Sequence, residues 1–219
     1  MRREMKMEGS TELKVIKAKA VSATPENFKA FGQVTSPSPD GTLFSSDDAQ
    51  LSLHAGIPRF YIMELKGRSL NFSTITHHAN VTQCLGSIGG HTWYIGVARP
   101  SIVEGNEPGI DKAEDSQTHL EMKIVSPTHE LDVPYSHGKN IIQSKIGHYY
   151  VPPAPEVVHV FRVEGPQFVK LNVGTWHAGP LFTDPSMNFY NLELSDTNEV
   201  DHTTHNFRTS NGVRFVIED

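Results

Sequence analysis

The chain has 219 residues, of which 37% are hydrophobic and 20% are charged, and it carries a formal net charge of -6. This composition is typical of a globular protein and excludes a disordered one. The acidic balance disfavours binding to nucleic acids or to anionic membranes, because both need clustered lysine and arginine.

Cys84 is the only cysteine, so the chain forms no internal disulfide, which favours a reducing compartment. Residues 1–10 are polar and charged, unlike the apolar core of a signal peptide. No run of about 18 apolar residues is present, so no transmembrane helix is expected. These features predict a cytoplasmic protein with a disordered arm at residues 1–11 and one domain at residues 12–219.

The first predicted elements are a strand at Leu13–Ala18 and a short helix. Thr24-Pro25 places a capping hydroxyl before a proline at the first helical position. Phe28 and Phe31 lie on one face of this helix, and Gly32 closes it. It is the one well-marked helix of the sequence.

After this helix, short runs of β-branched and aromatic residues alternate with Gly, Pro and Ser, which predicts many short strands. Such spacing is typical of a β-sandwich or a closed barrel. Three stretches are expected to be loops: Ser36–Gln50, Glu104–Gln117 and Pro134–Lys145. The predicted strands are Arg59–Lys66, Leu70–His77, Thr82–Leu85, Thr92–Ala98, Leu120–Ser126, Gly147–Val151, Val157–Val163, Phe168–Val173, Asn188–Leu194 and Val213–Ile217.

The 12 histidines matter most for chemistry, because imidazole is the common acid, base and metal ligand near neutral pH. One cluster is Thr76-His77-His78-Ala79, and Gln83 follows it. Neighbouring strand residues face opposite ways, so only one of His77 and His78 is expected to face a barrel interior. His77 is better explained as a histidine on the exposed face of a strand than as a functional residue.

The second cluster is Asn172-Val173-Gly174-Thr175-Trp176-His177. Gly174 permits a turn at the end of a strand and would direct Trp176 and His177 away from each other. Functional and structural roles are about equally supported for His177, as they are for His78. A tryptophan in such a position more often packs in a core than contacts a substrate.

Two further candidates have simpler explanations. His202 and His205 suit a ligand pair, but a polar C-terminal loop explains them better. Cys84 is best explained as a buried small hydrophobe. The sequence holds no P-loop, dinucleotide fingerprint, nucleophile elbow or HExxH motif, so no nucleotide cofactor is expected.

Three segments, taken in order, resemble the ureidoglycolate lyase family (older name ureidoglycolate hydrolase) of the cupin superfamily. They are His54–Phe60, His78–Gln83 and Gly174–His177, and the last, followed by Pro180-Leu181, is the most specific. The likeness runs over residues 14–199 and is closer to the plant and eukaryotic branch than to the bacterial one. It implies a mainly β, cupin-like double-stranded β-helix (jelly-roll) barrel with one or two short helices.

The resemblance also implies a homodimer that cleaves ureidoglycolate, a small polar substrate of purine and allantoin catabolism, to glyoxylate and urea. His177 matches the position of a catalytic base, and His78 that of an acid or metal ligand. Arg59 would clamp the substrate carboxylate, and Gln83 would orient the ureido group. Trp176 matches a family motif position as well. Asn172, in the same cluster, is a further candidate for substrate binding.

A divalent metal, nickel or manganese, is the cofactor that the resemblance implies. His78, Gln83 and His177 would hold it. Gln83 occupies the position of the carboxylate in the cupin motif, and Thr76 that of its first histidine. Two nitrogen ligands and a neutral oxygen make a weak set for a transition metal.

The chain departs from the family at two places. The family usually has Glu-Arg-His-Pro where this chain has Thr76-His77-His78-Ala79, and it often has Tyr-His where this chain has Leu171-Asn172. Two alternatives therefore stay open. One is a lyase, cyclase or isomerase that acts on another small molecule in specialised metabolism, and the other is a small-molecule-binding cupin without catalysis.

Overall fold

The computed structural model describes residues 13–104, 123–124 and 140–219. In this part, the chain is mainly β, with four sheets and three short α-helices. None of the four sheets closes on itself, so the expected closed barrel is not found among these residues. The predicted arm at residues 1–11, the loop Glu104–Gln117 after its first residue, and most of the strand Leu120–Ser126 lie outside the described residues.

The elements have the following bounds. The first nine strands are β1 (Lys14–Lys19), β2 (Val21–Ser22), β3 (Gly32–Thr35), β4 (Pro58–Lys66), β5 (Asn71–Phe72), β6 (Thr74–His77), β7 (Gln83–Ser87), β8 (Trp93–Ala98) and β9 (Ile102–Glu104). The others are β10 (Lys123–Ile124), β11 (Ile142–Gln143), β12 (Tyr149–Tyr150), β13 (His159–Val163), β14 (Phe168–Leu171), β15 (Trp176–Leu181), β16 (Ser186–Leu194), β17 (Thr203–Asn206) and β18 (Val213–Glu218). The helices are α1 (Pro25–Phe28), α2 (Thr197–Val200) and α3 (Phe207–Asn211), with a 3-10 turn at Pro155–Val157.

Two large sheets form the body of the protein. The six-stranded sheet has the order β17-β6-β15-β8-β13-β2, and the five-stranded sheet has the order β3-β14-β7-β16-β4. A hydrophobic core draws on both, with Trp93 and Ile95 of β8 in the same cluster as Val169 of β14 and Phe189 of β16. Face-to-face packing of two sheets buries such alternate side chains between them.

The other face of the six-stranded sheet is buried as well. A second core there includes Tyr94 and Trp176 together with Phe215 of β18, which lies in a three-stranded sheet with the order β1-β18-β5. Every residue of β8 is therefore buried, which explains its unbroken apolar sequence. A strand that is covered on both faces shows no polar alternation.

Local sequence signals explain the short helices. Thr24 caps α1 as predicted, since its side chain accepts the amide of Asn27 while the Asn27 side chain accepts the amide of Thr24. The Asn206 side chain caps α3 in the same way, by accepting the amide of Thr209. Gly212 ends α3 with a φ of 65°, a conformation that suits glycine. The described residues hold three α-helices where one or two were predicted, because four or five residues are too few to show a helical apolar period. The predicted end of the first helix is wrong, since α1 ends at Phe28 and Gly32 begins β3.

Most predicted strands are found within two residues of their predicted bounds. The predicted strand Leu70–His77 is instead divided into β5 and β6, which belong to different sheets. Ile142–Gln143, within the predicted loop Pro134–Lys145, is a strand that pairs with β12. The strands found as predicted are those from Leu13, Arg59, Thr82, Thr92, Gly147, Val157, Phe168, Asn188 and Val213.

Three strands of the six-stranded sheet were not predicted from their sequence, and the shortest of them is Val21–Ser22. Trp176–Leu181 contains a Gly-Pro pair, a signal that normally marks a turn. Thr203–Asn206 is polar and resembled a loop, yet it pairs with β6 at four positions. No helix in the described part of the chain is long and apolar enough to cross a membrane.

The close approach of β3 and β14 gives the first prediction. A Cβ atom added at Gly32 would lie 1.8 Å from the backbone oxygen of Lys170, so neither strand can keep its position. Gly32→Ala is expected to lower the free energy of unfolding by about 2–4 kcal/mol. Gly56→Ala is the matched control, because the nearest atom to its added Cβ would lie at 3.4 Å. Urea unfolding followed by circular dichroism measures both, and equal stabilities would contradict the packing described.

Candidate functional site

One end of the space between the two large sheets is polar. Gln83 lies opposite Leu171 in the five-stranded sheet, and His177 lies opposite Val97 in the six-stranded sheet. Opposite residues of an antiparallel pair share a face, and both Leu171 and Val97 face the core between the sheets. Gln83 and His177 therefore approach this end from opposite sheets. We call the residues gathered here the polar pocket; they are Arg59, Tyr61, His78, Gln83, His177, Asn191, Glu193 and His202.

His78 and His177 present the same ring nitrogen to the pocket. The Nδ1 of His177 lies 3.3 Å from the backbone oxygen of Thr175, and the Nδ1 of His78 contacts the backbone oxygen of Asp201. A carbonyl oxygen only accepts hydrogen bonds, so both Nδ1 atoms carry the proton. In the neutral form of each ring, Nε2 then carries the lone pair, which suits a base or a metal ligand.

Backbone hydrogen bonds join the two histidine segments. The amide of Gly174 donates to the backbone oxygen of His78 at 2.7 Å. The carboxylate of Asp201 accepts the amides of Ala79 and Asn80 at 2.6 and 2.8 Å, which fixes the turn after His78. The ring centroids of His78 and His177 are 5.3 Å apart. The two imidazoles therefore stand side by side on a rigid frame.

The turn before His177 depends on glycine. Gly174 has a φ of 78°, and a Cβ added there would lie 2.8 Å from the Cδ1 of Ile102. The predicted turn is therefore present at this residue. It directs Trp176 and His177 to opposite faces of the six-stranded sheet, as predicted, with Trp176 in the second core.

His202 joins the pocket from the neighbouring strand edge. Its ring centroid is 5.7 Å from that of His78, and its Nε2 is 3.4 Å from the Oγ1 of Thr76. Burial, followed by His78, lowers the pKa of His202, while Glu193 opposes this change. His205 lies on the other face, where its ring packs on Phe207. The two histidines therefore form no ligand pair, and the predicted loop is wrong.

Burial makes His177 a neutral group. Its side chain is only 9% exposed, and burial, followed by His78, lowers its pKa from 6.5 to about 3. At neutral pH its Nε2 is free to accept a proton. An anion bound beside it would raise that pKa and strengthen it as a base.

A carboxylate network forms the wall contributed by the five-stranded sheet. Glu193 is 1% exposed and accepts hydrogen bonds from the hydroxyl of Tyr61 at 3.0 Å and from the Nε2 of Gln83 at 3.1 Å. Asn191 accepts a second hydrogen bond from Gln83 and donates to Tyr61. Burial raises the pKa of Tyr61, so its phenol keeps the proton that it donates. Glu193 supplies a carboxylate that the family motif would place elsewhere.

Arg59 lies at the rim of the pocket. It pairs in register with Glu193, and its guanidinium is 3.7 Å from the centroid of the Tyr61 ring. Its side chain is exposed, so it remains accessible to a ligand. A guanidinium held on an aromatic face is a suitable partner for a carboxylate.

His77 is completely buried, so its predicted surface position is wrong. Its Nε2 lies 2.7 Å from the Nε2 of His148, and the Nδ1 of His148 lies 3.0 Å from the hydroxyl of Ser144. The ring of Trp176 packs edge-on against His77 with centroids 4.0 Å apart. Alternation along β6 therefore turns His77 into the second core, while His78 faces the pocket.

Three other predicted residues lie away from the pocket. Trp176 is buried in the second core, and its Nε1 donates to the hydroxyl of Ser101. The side-chain oxygen of Asn172 accepts the amine of Lys170 at 2.8 Å, which directs it to the outer face of β14. Cys84 is partly exposed on that same outer face, and burial raises the pKa of its thiol to about 12.

The predicted metal ligands meet only part of what a metal needs. His78 and His177 offer Nε2 lone pairs, but the Nε2 of Gln83 is bound to Asn191 and Glu193, and its oxygen is neutral. Among the described residues, no group of three or more His, Cys, Asp or Glu side chains is arranged to hold a metal ion. The donor set does not favour nickel or manganese, and no step below depends on a metal.

A groove of about 410 Å³ lies at the other end of the sandwich, where β4 and β16 pair through Lys66 and Ser186. No histidine lines it, so we do not connect it with the chemistry of the polar pocket. Its residues are Gly67, Arg68, Ser69, Leu70, Phe182, Thr183, Asp184 and Pro185.

Tyr61, Asn191 and Glu193 were missed by the sequence analysis. One signal for them exists in β16, where Phe189, Asn191 and Glu193 occupy alternate, inward-facing positions. A strand whose inner face changes from apolar to polar marks the point where a core ends and a pocket begins.

No family model matches the chain, and a comparison with curated protein sequences finds no match.

The buried histidines predict loss of stability in acid. Burial, with a smaller contribution from the neighbouring His148, lowers the pKa of His77 to about 3. Burial, with a smaller contribution from His78, lowers the pKa of His177 to the same value. A histidine in the unfolded chain titrates at about 6.5. Below pH 6.5 the unfolded chain binds more protons than the folded one, so stability is complete above this pH and falls as the pH drops towards 3. Each group contributes up to about 1.4 kcal/mol per pH unit in this window.

Urea unfolding at pH values from 8 to 4 measures this dependence. His77→Asn removes one of these buried titrating groups and is expected to flatten the slope. A free energy of unfolding that stays constant between pH 7 and pH 5 would contradict the prediction.

Proposed function

We propose that the chain is a carbon–nitrogen lyase with a cupin-like jelly-roll fold, which cleaves ureidoglycolate to glyoxylate and urea. The observation that carries the proposal is the pair of buried histidines, His78 and His177, whose Nδ1 atoms are bound to backbone oxygens and whose ring centroids are 5.3 Å apart. Two facing sheets with a shared core support the fold. Four residues from the resembling segments lie at one end of it, namely Arg59, His78, Gln83 and His177. The single cysteine supports a cytoplasmic setting.

Ureidoglycolate is a carbinolamide, so its cleavage moves two protons. His177 takes the proton of the hydroxyl at Nε2, a C=O bond forms, and the C–N bond to the ureido group breaks. The neutral state of His177 suits this role as a base. The substrate carboxylate raises the pKa of this histidine when it binds, so the base gains strength only in the complex.

The departing nitrogen needs a proton, which we assign to His78. The Nδ1 proton of His78 stays on the ring, where it is donated to the Asp201 carbonyl. The Nε2 atom starts without a proton, so it first receives the proton that His177 took from the hydroxyl and then delivers it to the departing nitrogen. Arg59 holds the carboxylate at the rim, where its guanidinium is exposed and oriented by Tyr61. Gln83 orients the ureido group from the wall that faces the two histidines. Each function therefore has its own side chain.

His177→Ala tests the assignment of the base. Removal of a general base is expected to lower kcat by a factor of about 100 or more. The assay follows glyoxylate release from racemic ureidoglycolate, with uncatalysed decay subtracted. His91→Ala is the matched control, because His91 is exposed and outside the pocket. Equal turnover by the two variants would contradict the assignment.

The same assay with a chelator, or with added manganese or nickel, tests the metal implied by the resemblance. Release that the chelator leaves unchanged supports the histidines as plain acid and base. Release that is lost and then restored by metal would show that a metal takes part. No release at saturating substrate would contradict the proposed reaction and favour another small-molecule ligand.

We also propose that the chain forms a homodimer through the outer face of β4 and β16. Phe60, Ile62 and Tyr190 are 68%, 63% and 46% exposed there, and the rings of Phe60 and Tyr190 stack with centroids 5.8 Å apart. β4 is the edge strand of its sheet among the described residues. Aromatic side chains bury about 150–250 Å² each, a useful share of the roughly 800 Å² that each partner buries in a stable interface.

Size exclusion with light scattering tests the dimer. The wild-type chain is expected at twice its mass of 24.3 kDa. Ile62→Glu places a charge on the apolar face and is expected to give a monomer of unchanged fold. Val200→Glu is the control, because Val200 is also exposed but lies on α2. A monomeric wild-type chain at tens of micromolar would contradict the interface.

A further inference from the structure

Glu193 is a buried carboxylate that is held by neutral hydrogen-bond donors and not by a salt bridge. It is 1% exposed, and none of the ion pairs among the described residues includes it. Three neutral donors surround it instead: the hydroxyl of Tyr61, the Nε2 of Gln83 and, at 3.3 Å, the Nδ2 of Asn198. Such a group keeps its place only because its hydrogen bonds replace water.

This carboxylate sets the direction of the surrounding hydrogen bonds. An ionised carboxylate only accepts, so Gln83 must turn its NH₂ group towards Glu193, and Tyr61 must direct its hydroxyl proton there. The same NH₂ group donates to the Oδ1 of Asn191 at 3.1 Å, and the Nδ2 of Asn191 donates to the hydroxyl oxygen of Tyr61 at 2.9 Å. Reversal of the Gln83 amide would place its Oε1 atom against the carboxylate of Glu193, and two acceptors form no hydrogen bond.

The amide oxygen of Gln83 is therefore the end of the side chain that remains available to accept a hydrogen bond from a ligand. This Oε1 atom is buried and has no hydrogen-bond partner among the described residues. The whole side chain is only 7% exposed. An unpaired buried acceptor is rare in folded proteins and needs an explanation. A ligand with a hydrogen-bond donor would pair with this oxygen when it enters the pocket, which would explain the unpaired atom.

We propose that Glu193 is a positioning residue, which holds the Gln83 amide so that its oxygen accepts an N–H group of the ligand. The ligand class is then a ureido or primary amide compound, because its nitrogen presents an N–H group that the unpaired Oε1 of Gln83 can accept. This identification of the donor rests on the proposed function. A compound with an oxygen in place of that nitrogen would leave Gln83 unpaired and would be rejected.

A first experiment needs no turnover. Urea at millimolar concentration, far below denaturing levels, is the probe, and the side-chain NH₂ signals of Gln83 in a ¹⁵N–¹H spectrum are the measurement. Gln83→Asn identifies these signals. Urea is expected to shift them in the wild-type chain and in Glu199→Gln, but not in Glu193→Gln. Glu199 is the matched control, because it is an exposed carboxylate on α2.

A second experiment measures ureidoglycolate cleavage by the same variants. Glu193→Gln is expected to lower kcat/KM at least tenfold, whereas Glu199→Gln should equal the wild type. Glu193→Asp keeps a carboxylate and is expected to recover part of the loss. A variant with a merely structural defect would lose stability without this recovery, so thermal unfolding is measured in parallel.

The two experiments separate failure of the inference from failure of the proposed function. Wild-type Gln83 signals that do not respond to urea would overturn the inference, whatever the activity. Normal cleavage by Glu193→Gln would overturn it as well and leave the lyase function intact. A urea response in a chain that does not cleave ureidoglycolate would support the inference and contradict the proposed reaction.

Discussion

Alternation of side chains along the six-stranded sheet is the constraint on which the rest of the structure depends. This sheet is buried on both faces, so each pair of neighbouring residues is divided between two environments. His77 and Trp176 enter the second core, while His78 and His177 face the polar pocket. A shift of β6 or β15 by one residue would exchange these pairs and remove both imidazoles from the pocket.

The two walls of the pocket hold their polar groups by different means. Backbone carbonyls fix the tautomers of His78 and His177 on one wall, and the buried carboxylate of Glu193 orients the amides on the other. Among the described residues, hydrogen bonds and not salt bridges hold the buried polar groups of both walls. This arrangement offers lone pairs at Nε2 opposite an amide oxygen, which suits a small substrate with both O–H and N–H groups.

Parts of the site could be predicted from the sequence because they rest on local chemistry. Gly174 requires its turn through a positive φ, and that turn separates Trp176 from His177 whatever surrounds them. His78 and His177 carry the functional type of side chain within short motifs. His77 could not be placed in the same way, because its burial depends on His148, 71 residues further along the chain. Glu193 was missed because it occupies no motif and gains its role only from contacts with Tyr61 and Gln83.

The sequence by itself determined a mainly β chain, most of its strands, the capped first helix and two of the histidines at the site. These follow from residue periodicity and from local hydrogen bonding, which involve neighbours in the chain. Only the tertiary structure decided that Leu70–His77 divides between two sheets, that Thr203–Asn206 is a strand, and that Asn172 turns away from the pocket. The physical reason is that strand pairing and burial are set by distant partners, which override weak local preference.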